Sequence, residues 1–263
     1  MGSLGYRSDS LAPSGVVGAI VVGTLIFGAG GLMWGMLLIV FFASSSLLSR
    51  YREAEKTTLS DKFAKPGRRD LGQALANGGW GALLALAFML RPSPLLFAAF
   101  VGAIATVNAD TWATELGVLS RHPPRRITTG EPVPPGTSGG VSVLGTAAAL
   151  AGALLIGLVA EALRLLEGWM AGWVDGWMVW LPLAAGLGGL AGAFFDSLLG
   201  ASVQRIYWCE RCCTETERTM HTCGTGSQPL RGWRWLDNDA VNFLSSVVGS
   251  GVTAGLVWAI LRL

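Results

Sequence analysis

Charged residues are scarce in this chain of 263 residues. Asp, Glu, Lys and Arg make up 14% of it, whereas 51% of the residues are hydrophobic. Together with a mean hydropathy of +0.50, this composition excludes an ordinary soluble domain. The first apolar stretch also lacks a convincing signal-peptide cleavage site, and only one basic residue, Arg7, precedes it. We therefore expect a polytopic membrane protein whose first helix is retained.

The apolar runs are each long enough, at roughly 17 to 25 residues, to cross a hydrocarbon core as a helix. The expected fold class is all-α, a membrane bundle of about seven transmembrane helices that forms a single membrane domain over residues 1–263. The predicted spans cover residues 14–30, 32–48, 71–90, 94–119, 137–165, 178–204 and 240–263.

The basic residues predict the orientation of these spans. Sixteen of the nineteen Lys and Arg residues fall on one side of a seven-span chain, and only Arg91, Arg164 and Arg262 fall on the other. By the positive-inside rule, the N-terminus, a basic loop at 50–70, the loop at 120–136 and a Cys/His-containing loop at 205–235 are cytoplasmic. Because no leader rich in Arg and Ser precedes the first span, we expect a prokaryotic plasma membrane.

Carboxylates inside the predicted spans point to a site. A charged side chain at the centre of a membrane helix costs roughly 2.5–3.5 kcal/mol, unless it lies at the interface, so it usually faces a cavity, a partner or a ligand. Several acidic clusters reach the cytoplasmic side, and a hard divalent cation, Mg²⁺, would offset their repulsion. A proton or Na⁺ pathway also fits, but the one-sided distribution favours an enzyme over a transporter. The candidate metal ligands are Asp110, Glu115, Asp196, Asp237 and Asp239.

A glycine-rich segment suggests phosphate chemistry. Gly136-Thr137-Ser138-Gly139-Gly140 follows two prolines and is predicted to open the fifth helix, where free backbone N–H groups can receive an anion. It lacks the spacing and the lysine of a P-loop. Taken alone it would also fit ordinary capping and close helix packing, but the neighbouring arginines and the helix dipole favour contact with phosphate. The candidate nucleotide and phosphate ligands are Arg68, Arg69, Asn77, Arg125, Arg126, Thr137, Ser138, Gly139, Gly140, Ser197 and Asn242.

All four cysteines lie between positions 209 and 223 of the last cytoplasmic loop. A C-x₂-C pair followed by H-x-C predicts a small structural Zn²⁺ site formed by Cys209, Cys212, His221 and Cys223. Cys213 is not needed for this four-ligand site. The alternative interpretation is that the cysteines are free thiols that bind no metal. A reducing compartment argues against disulfides.

Six blocks of the sequence carry a family resemblance. In order they are SGVVGAIVVGTLIFGAGG, GRRDLGQALANGG, NADTWATELGVLS, ITTGEPVPPGTSGGVSVLGT, FFDSLLGASVQ and LDNDAVNFLSS. They resemble the integral membrane family of the transmembrane-protein-19 type, which includes plant and cyanobacterial phytyl-phosphate kinases. The resemblance implies transfer of a phosphate from a nucleoside triphosphate, CTP in those kinases, to an isoprenoid monophosphate. The product would be a prenyl diphosphate for tocopherol-type lipids.

A more distant similarity extends to dolichol and phytol kinases and to phosphatidate cytidylyltransferases. This chain departs from their pattern because no lysine follows Gly136 and because Asp196 and Ser197 are adjacent. The resulting hypothesis is in-line phosphoryl transfer at the cytoplasmic membrane face. Asp110 and Asp196 would hold Mg²⁺, and arginines such as Arg126 would offset charge in the transition state. The alternatives are a CTP-dependent cytidylyltransferase acting on a lipid phosphate and a non-catalytic lipid or ion transporter.

Overall fold

The computed structural model describes residues 11–52, 55, 68–171 and 176–263. Seven long helices lie in this part of the chain, and each is long and apolar enough to cross a membrane. The prediction of a seven-helix membrane bundle is therefore confirmed. Residues 53–54 and 56–67, most of the predicted basic loop, lie outside the described residues. The helices are α1 (Pro13–Gly30), α2 (Leu32–Arg50), α3 (Leu71–Leu90), α4 (Pro94–Gly117), α5 (Val143–Ala171), α6 (Leu181–Ser202) and α7 (Asn238–Ile260).

Local sequence signals set several of the helix ends. Gly31 separates α1 from α2 with a φ of +84°, a conformation that favours glycine. Asp70 starts α3 through a capping box with Gln73. The Ser93 hydroxyl accepts from the Leu95 amide at the start of α4, which satisfies one of the free N–H groups there.

Helix α4 is the centre of the bundle. Its residues 97–109 are buried without interruption, and it packs against α5, α6 and α7. Small residues allow this close approach: a Cβ added at Gly192 of α6 would lie 2.3 Å from Thr106 Cγ2, and one added at Gly249 of α7 would lie 1.9 Å from Thr106 Oγ1. The seam of α4, α6 and α7 therefore tolerates little added volume.

Short strands outside the helices add structure that the sequence pattern did not predict. The strands β1 (Arg125–Arg126) and β2 (Gly140–Val141) form an antiparallel pair. In a second sheet, β3 (Ile206–Cys209) lies between β4 (Thr214–Thr216) and β5 (Gln228–Arg231), antiparallel to both. Both sheets lie at the end of the bundle where α4 and α6 end and α5 and α7 begin, which we call the polar end.

The predicted start of the fifth helix was wrong. Helix α5 begins at Val143, because β2 and a turn occupy residues 136–141 and the Ser142 hydroxyl accepts from the Gly145 amide. Thr137 and Ser138 therefore do not open a helix. Their backbone amides are not the free N–H groups of a helix start.

Candidate active site

Two carboxylates lie one helical turn beyond the tightest contact of α4 with α6. The two helices run parallel, and Thr106 packs against Gly192. Four residues further along each helix are Asp110 and Asp196, both partly buried. Their charges interact, and Asp196 Oδ2 accepts a hydrogen bond of 3.3 Å from Ser245 Oγ of α7. The packing seam thus brings the two predicted carboxylates together at the polar end.

A third carboxylate, Glu217, belongs to the same cluster and was missed by sequence reasoning. It follows β4, and its charge interacts with those of both Asp110 and Asp196. Gln204, just beyond α6, donates to Glu217 through Nε2 at 2.8 Å. No local pattern marks this position, because only the folding of the last loop places it beside the helices.

A second cluster beside these carboxylates is basic. Arg126 of β1 and Arg231 of β5 approach the same carboxylate, Glu215, at N···O distances of 3.6 and 3.8 Å. Arg231 Nη1 also donates to the Gly200 carbonyl at 2.8 Å. Burial lowers the pKa of Arg231, Glu215 acts in the opposite direction, and the neighbouring Arg126 lowers that pKa further. Two guanidinium groups share one carboxylate, so the cluster keeps a net positive charge.

The two clusters are adjacent. Glu215 and Glu217 are two residues apart at the end of β4, which corresponds to roughly 7 Å along an extended strand. Gly200, whose carbonyl binds Arg231, lies one turn after Asp196 on α6. Among the described residues, Nε and Nη2 of Arg231 are buried without a hydrogen-bond partner. Charge-assisted N–H donors next to an acidic cluster suit a phosphate that is shared with a cation.

The glycine-rich segment, residues 136–140, packs against the end of α6. Gly139 has a φ of +79°, and an added Cβ would lie 2.4 Å from the Ala201 amide nitrogen, so only glycine fits there. Ser138 Oγ donates to Gln204 Oε1 at 2.7 Å, while Thr137 Oγ1 donates to the Pro134 carbonyl and the Gly140 amide to the Thr137 carbonyl. The segment thus orients Gln204 toward Glu217, and its contact with phosphate stays a prediction.

Glu115 and Arg69 form a separate polar contact with α2. Glu115 Oε1 accepts from Ser49 Oγ at 2.6 Å, and its charge interacts with that of Arg69. The Arg69 guanidinium lies over the rings of Phe41 and Phe42. Burial lowers the pKa of Arg69, and Glu115 opposes this change. The structure thus gives these two residues a role in joining α2 to α4.

The acidic residues at the start of α7 face other partners. Asp237 accepts from the Ala240 amide at 3.1 Å as the helix cap, and it pairs with Arg205 at 3.6 Å. Asp239 lines an apolar groove on the other side of α7. Asn242, partly buried, lies one turn from Ser245 toward the polar end. Of these three, Asn242 has the position that best suits a ligand beside Asp196.

The remaining predicted ligands lie further out. Arg68 and Arg125 are exposed, and Arg125 donates to the Gly130 carbonyl. Asn77 and Ser197 are partly buried, and Ser197 points about 100° away from Asp196 around α6. The last loop brings the side chains of Cys209, Cys212, His221 and Cys223 into one group.

The apolar groove runs between α1, α3 and α7. It encloses about 430 Å³ and is lined by hydrocarbon side chains, together with Gly72, Gly79, Phe243 and Asp239. On α3 it extends from Gly72 to Leu86, about 21 Å along the helix axis. Its end at Gly72 and Asp239 is the polar end of the bundle, so the groove can hold a long apolar chain whose head lies there.

Comparison with known proteins places the chain among integral membrane proteins. The family described as Integral membrane protein DUF92 matches residues 1–250. Protein PGR of Arabidopsis thaliana is 35% identical over 95% of this chain and 90% of its own length. An uncharacterized membrane protein of Methanocaldococcus jannaschii is 33% identical over 76% of this chain and 77% of its own length. Protein VTE6, chloroplastic, of Arabidopsis thaliana is 24% identical over 91% of this chain and 63% of its own length. No solved structure matches the chain.

Proposed function

The chain belongs to the integral membrane protein family DUF92, and from that premise we propose that it is a membrane-embedded isoprenoid-monophosphate kinase. It transfers a phosphate from a nucleoside triphosphate, with CTP preferred, to a phytyl-phosphate-like lipid and forms a prenyl diphosphate. The observation that carries this proposal is the adjacency of an acidic cluster (Asp110, Asp196 and Glu217) and a basic cluster (Arg126, Arg231 and Glu215) at the polar end. The family resemblance of the six sequence blocks supports the same reaction.

The acidic cluster has the donor set of a hard divalent cation. Three carboxylates with interacting charges, together with the Ser245 hydroxyl bonded to Asp196, offer only oxygen atoms. Such ligands suit Mg²⁺ and suit soft metals poorly. When bound, the cation would neutralise negative charge on the nucleotide phosphates. Asp110, Asp196 and Glu217 are the residues that would hold it.

The basic cluster would bind and orient the phosphates. An oxygen of the lipid monophosphate forms the new bond to the γ-phosphorus of the nucleotide, and the bond from that phosphorus to the β–γ bridging oxygen breaks. The nucleoside diphosphate leaves, and Arg126 and Arg231 offset the charge that shifts onto the phosphate oxygens. The lipid phosphate is already an anion, so no strong general base is required.

The groove between α1, α3 and α7 is the proposed site of the isoprenoid tail. Its hydrocarbon lining matches the tail, and its polar end lies at the start of α7, the helix that also supplies Ser245 to the acidic cluster. A tail held there would bring its phosphate to the polar end while the nucleotide enters from water. This arrangement explains how one site takes a soluble donor and a lipid acceptor.

We propose that the polar end faces the cytoplasm of a prokaryotic plasma membrane, since nucleoside triphosphates are available there and basic residues concentrate on that side. Cys213, exposed in the last loop, is the reporter. All four cysteines of the chain lie in this loop, so in the unmodified chain a membrane-impermeant maleimide should label inverted vesicles and leave intact cells unlabelled. Labelling of intact cells would contradict this orientation and place the polar end on the outer side of the membrane.

The test of the reaction is a panel of lipid monophosphates assayed with each of the four γ-labelled triphosphates. Purified chain should move label into an isoprenoid lipid in the presence of Mg²⁺. Asp110→Asn should lower this transfer at least about 10³-fold, whereas Glu131→Gln, which changes an exposed carboxylate of the β1–β2 loop, should retain it. Absence of labelled lipid across the whole panel would refute the kinase and favour a transporter or a lipid-binding protein.

A further inference from the structure

The last loop contains a second cluster of chemically reactive side chains, away from the carboxylates. Cys209 ends β3, Cys212 lies in the turn before β4, and His221 and Cys223 lie between β4 and β5. Four residues that are spread over fifteen positions converge so that their ligand atoms all lie within 4.8 Å of one another. Thiolates and imidazole are the usual ligands of Zn²⁺ in proteins.

One distance within the cluster matches the edge of a tetrahedral metal site. Cys209 Sγ and Cys223 Sγ are 3.7 Å apart. With Zn–S bonds of about 2.3 Å, the edge of a tetrahedron between two sulfurs is about 3.8 Å. A disulfide would instead require an S–S distance of about 2.05 Å. The spacing of these two sulfurs therefore matches two ligands of one ion.

A buried nitrogen gives independent support. His221 is buried, and its Nε2 has no hydrogen-bond partner in the described part of the chain, while Nδ1 lies 3.4 Å from the Cys223 amide. Cys209 is completely buried. An imidazole held in a dry position beside thiols, with a ring nitrogen unsatisfied, is expected where a metal ion completes the site.

The backbone around the ligands forms two tight turns. Cys213, which directly follows Cys212, has a φ of +49°, and Gly224, which directly follows Cys223, has a φ of +80°. Each left-handed residue turns the chain back immediately after a ligand. The Gly224 amide donates to the His221 carbonyl, and the His221 amide donates to the Thr225 carbonyl. The second turn is therefore closed by its own hydrogen bonds.

We propose that Cys209, Cys212, His221 and Cys223 bind one structural Zn²⁺ ion. Four protein ligands complete a tetrahedron and leave no open position for a substrate, which makes the site structural and not catalytic. The ion ties the turn between β3 and β4 to the turn between β4 and β5. Since β4 carries Glu215 and leads into Glu217, and β5 ends at Arg231, the metal holds one wall of the candidate active site in place. This last consequence rests on the proposed function.

The first test is the metal content of the full chain, purified in detergent through a tag that contains no histidine. Mass spectrometry of the metal should find about one Zn²⁺ per chain. Cys209→Ser, Cys223→Ser and His221→Asn should lower this below about 0.2. The sequence offers matched controls, because it has one cysteine and one histidine outside the cluster: Cys213→Ser and His122→Asn should keep the metal.

The proposal is overturned if the unmodified chain contains no zinc and takes up none when titrated, or if the control variants lose as much metal as the ligand variants. A second measurement uses the unmodified chain and does not depend on how the variants fold. With metal bound, iodoacetamide should modify Cys213 rapidly and protect the other three cysteines, and a chelator should remove this protection. Equal reaction of all four cysteines before chelation would also overturn the proposal.

The two proposals fail differently. A chain with stoichiometric zinc that transfers no phosphate to any lipid refutes the kinase and leaves the zinc site intact. An active chain without zinc refutes the zinc site and leaves the kinase intact. If both hold, a zinc-selective chelator used in excess Mg²⁺ should lower phosphate transfer at least about tenfold, and added Zn²⁺ should restore it.

Discussion

Replacing Asp110 and Asp196 by asparagine, singly and together, tests whether the two carboxylates act on one bound cation. Asparagine keeps the shape of each side chain and removes its charge. Both positions are partly buried at the seam of α4 and α6, so solvent screens their charges weakly. At an effective dielectric constant of about 20, two unit charges about 4 Å apart interact by about 4 kcal/mol, and the double charge of Mg²⁺ makes this value a lower bound. Each single substitution should therefore lower kcat/KM by at least about 10³-fold.

The double variant decides between shared and separate action. If both carboxylates bind one ion, the first substitution already removes most of the contribution of that ion. The kcat/KM of the double variant should then lie within about tenfold of the value for the less active single variant. Independent roles would multiply the losses to about 10⁶-fold. The assay is the initial rate of label transfer from γ-labelled CTP to phytyl phosphate over a range of Mg²⁺ concentrations. Multiplying losses, or losses that the Glu131→Gln control shares, would refute the metal assignment.

Three further predictions concern the basic cluster, the groove and the helix seam. Arg231→Gln should lower kcat/KM about 10²-fold in the same assay. The control Arg234→Gln, at an exposed position of the same segment, should change kcat/KM less than about threefold. Equal effects of the two substitutions would show that Arg231 does not act in the site. Gly79→Leu should fill the groove and raise KM for long-chain lipid phosphates about tenfold. Gly251→Leu, where an added side chain meets open space, should leave KM unchanged. An unchanged KM in Gly79→Leu would exclude the groove as the site of the isoprenoid tail. Gly192→Val should cost at least about 1–3 kcal/mol by overpacking, and an unchanged thermal unfolding midpoint would contradict the packing of α4 against α6.

The membrane bundle was predictable because its signals are local. Seven apolar runs, each long enough to span a hydrocarbon core, were sufficient to predict seven helices. The convergence of Asp110 and Asp196 followed from topology, since alternating spans bring the ends of α4 and α6 to the same side. Asp237 also carried a local signal, because an Asp three residues before an apolar run typically caps a helix. Its ion pair with Arg205 and its cap now explain it without a metal.

The structure of the polar end depends on long-range contacts that leave no periodic pattern. Glu217 and Arg231 reach the site only because β4 and β5 both pair with β3. The glycine-rich segment was assigned to a helix start because small residues fit a cap and a turn equally well. What decides between them is the contact of Gly139 with Ala201, which lies more than 60 positions away in sequence.

The most direct test of the central claim is a single reaction with CTP labelled at the α- or the γ-phosphorus, phytyl phosphate and the purified chain. A kinase moves the γ-label into the lipid and leaves the α-label in a soluble nucleoside diphosphate. A cytidylyltransferase joins the nucleotide to the lipid, so the α-label would enter the lipid and the γ-label would appear in pyrophosphate. We predict γ-label alone in the lipid, and α-label in the lipid would contradict the phosphoryl transfer proposed for Asp110, Asp196, Arg126 and Arg231.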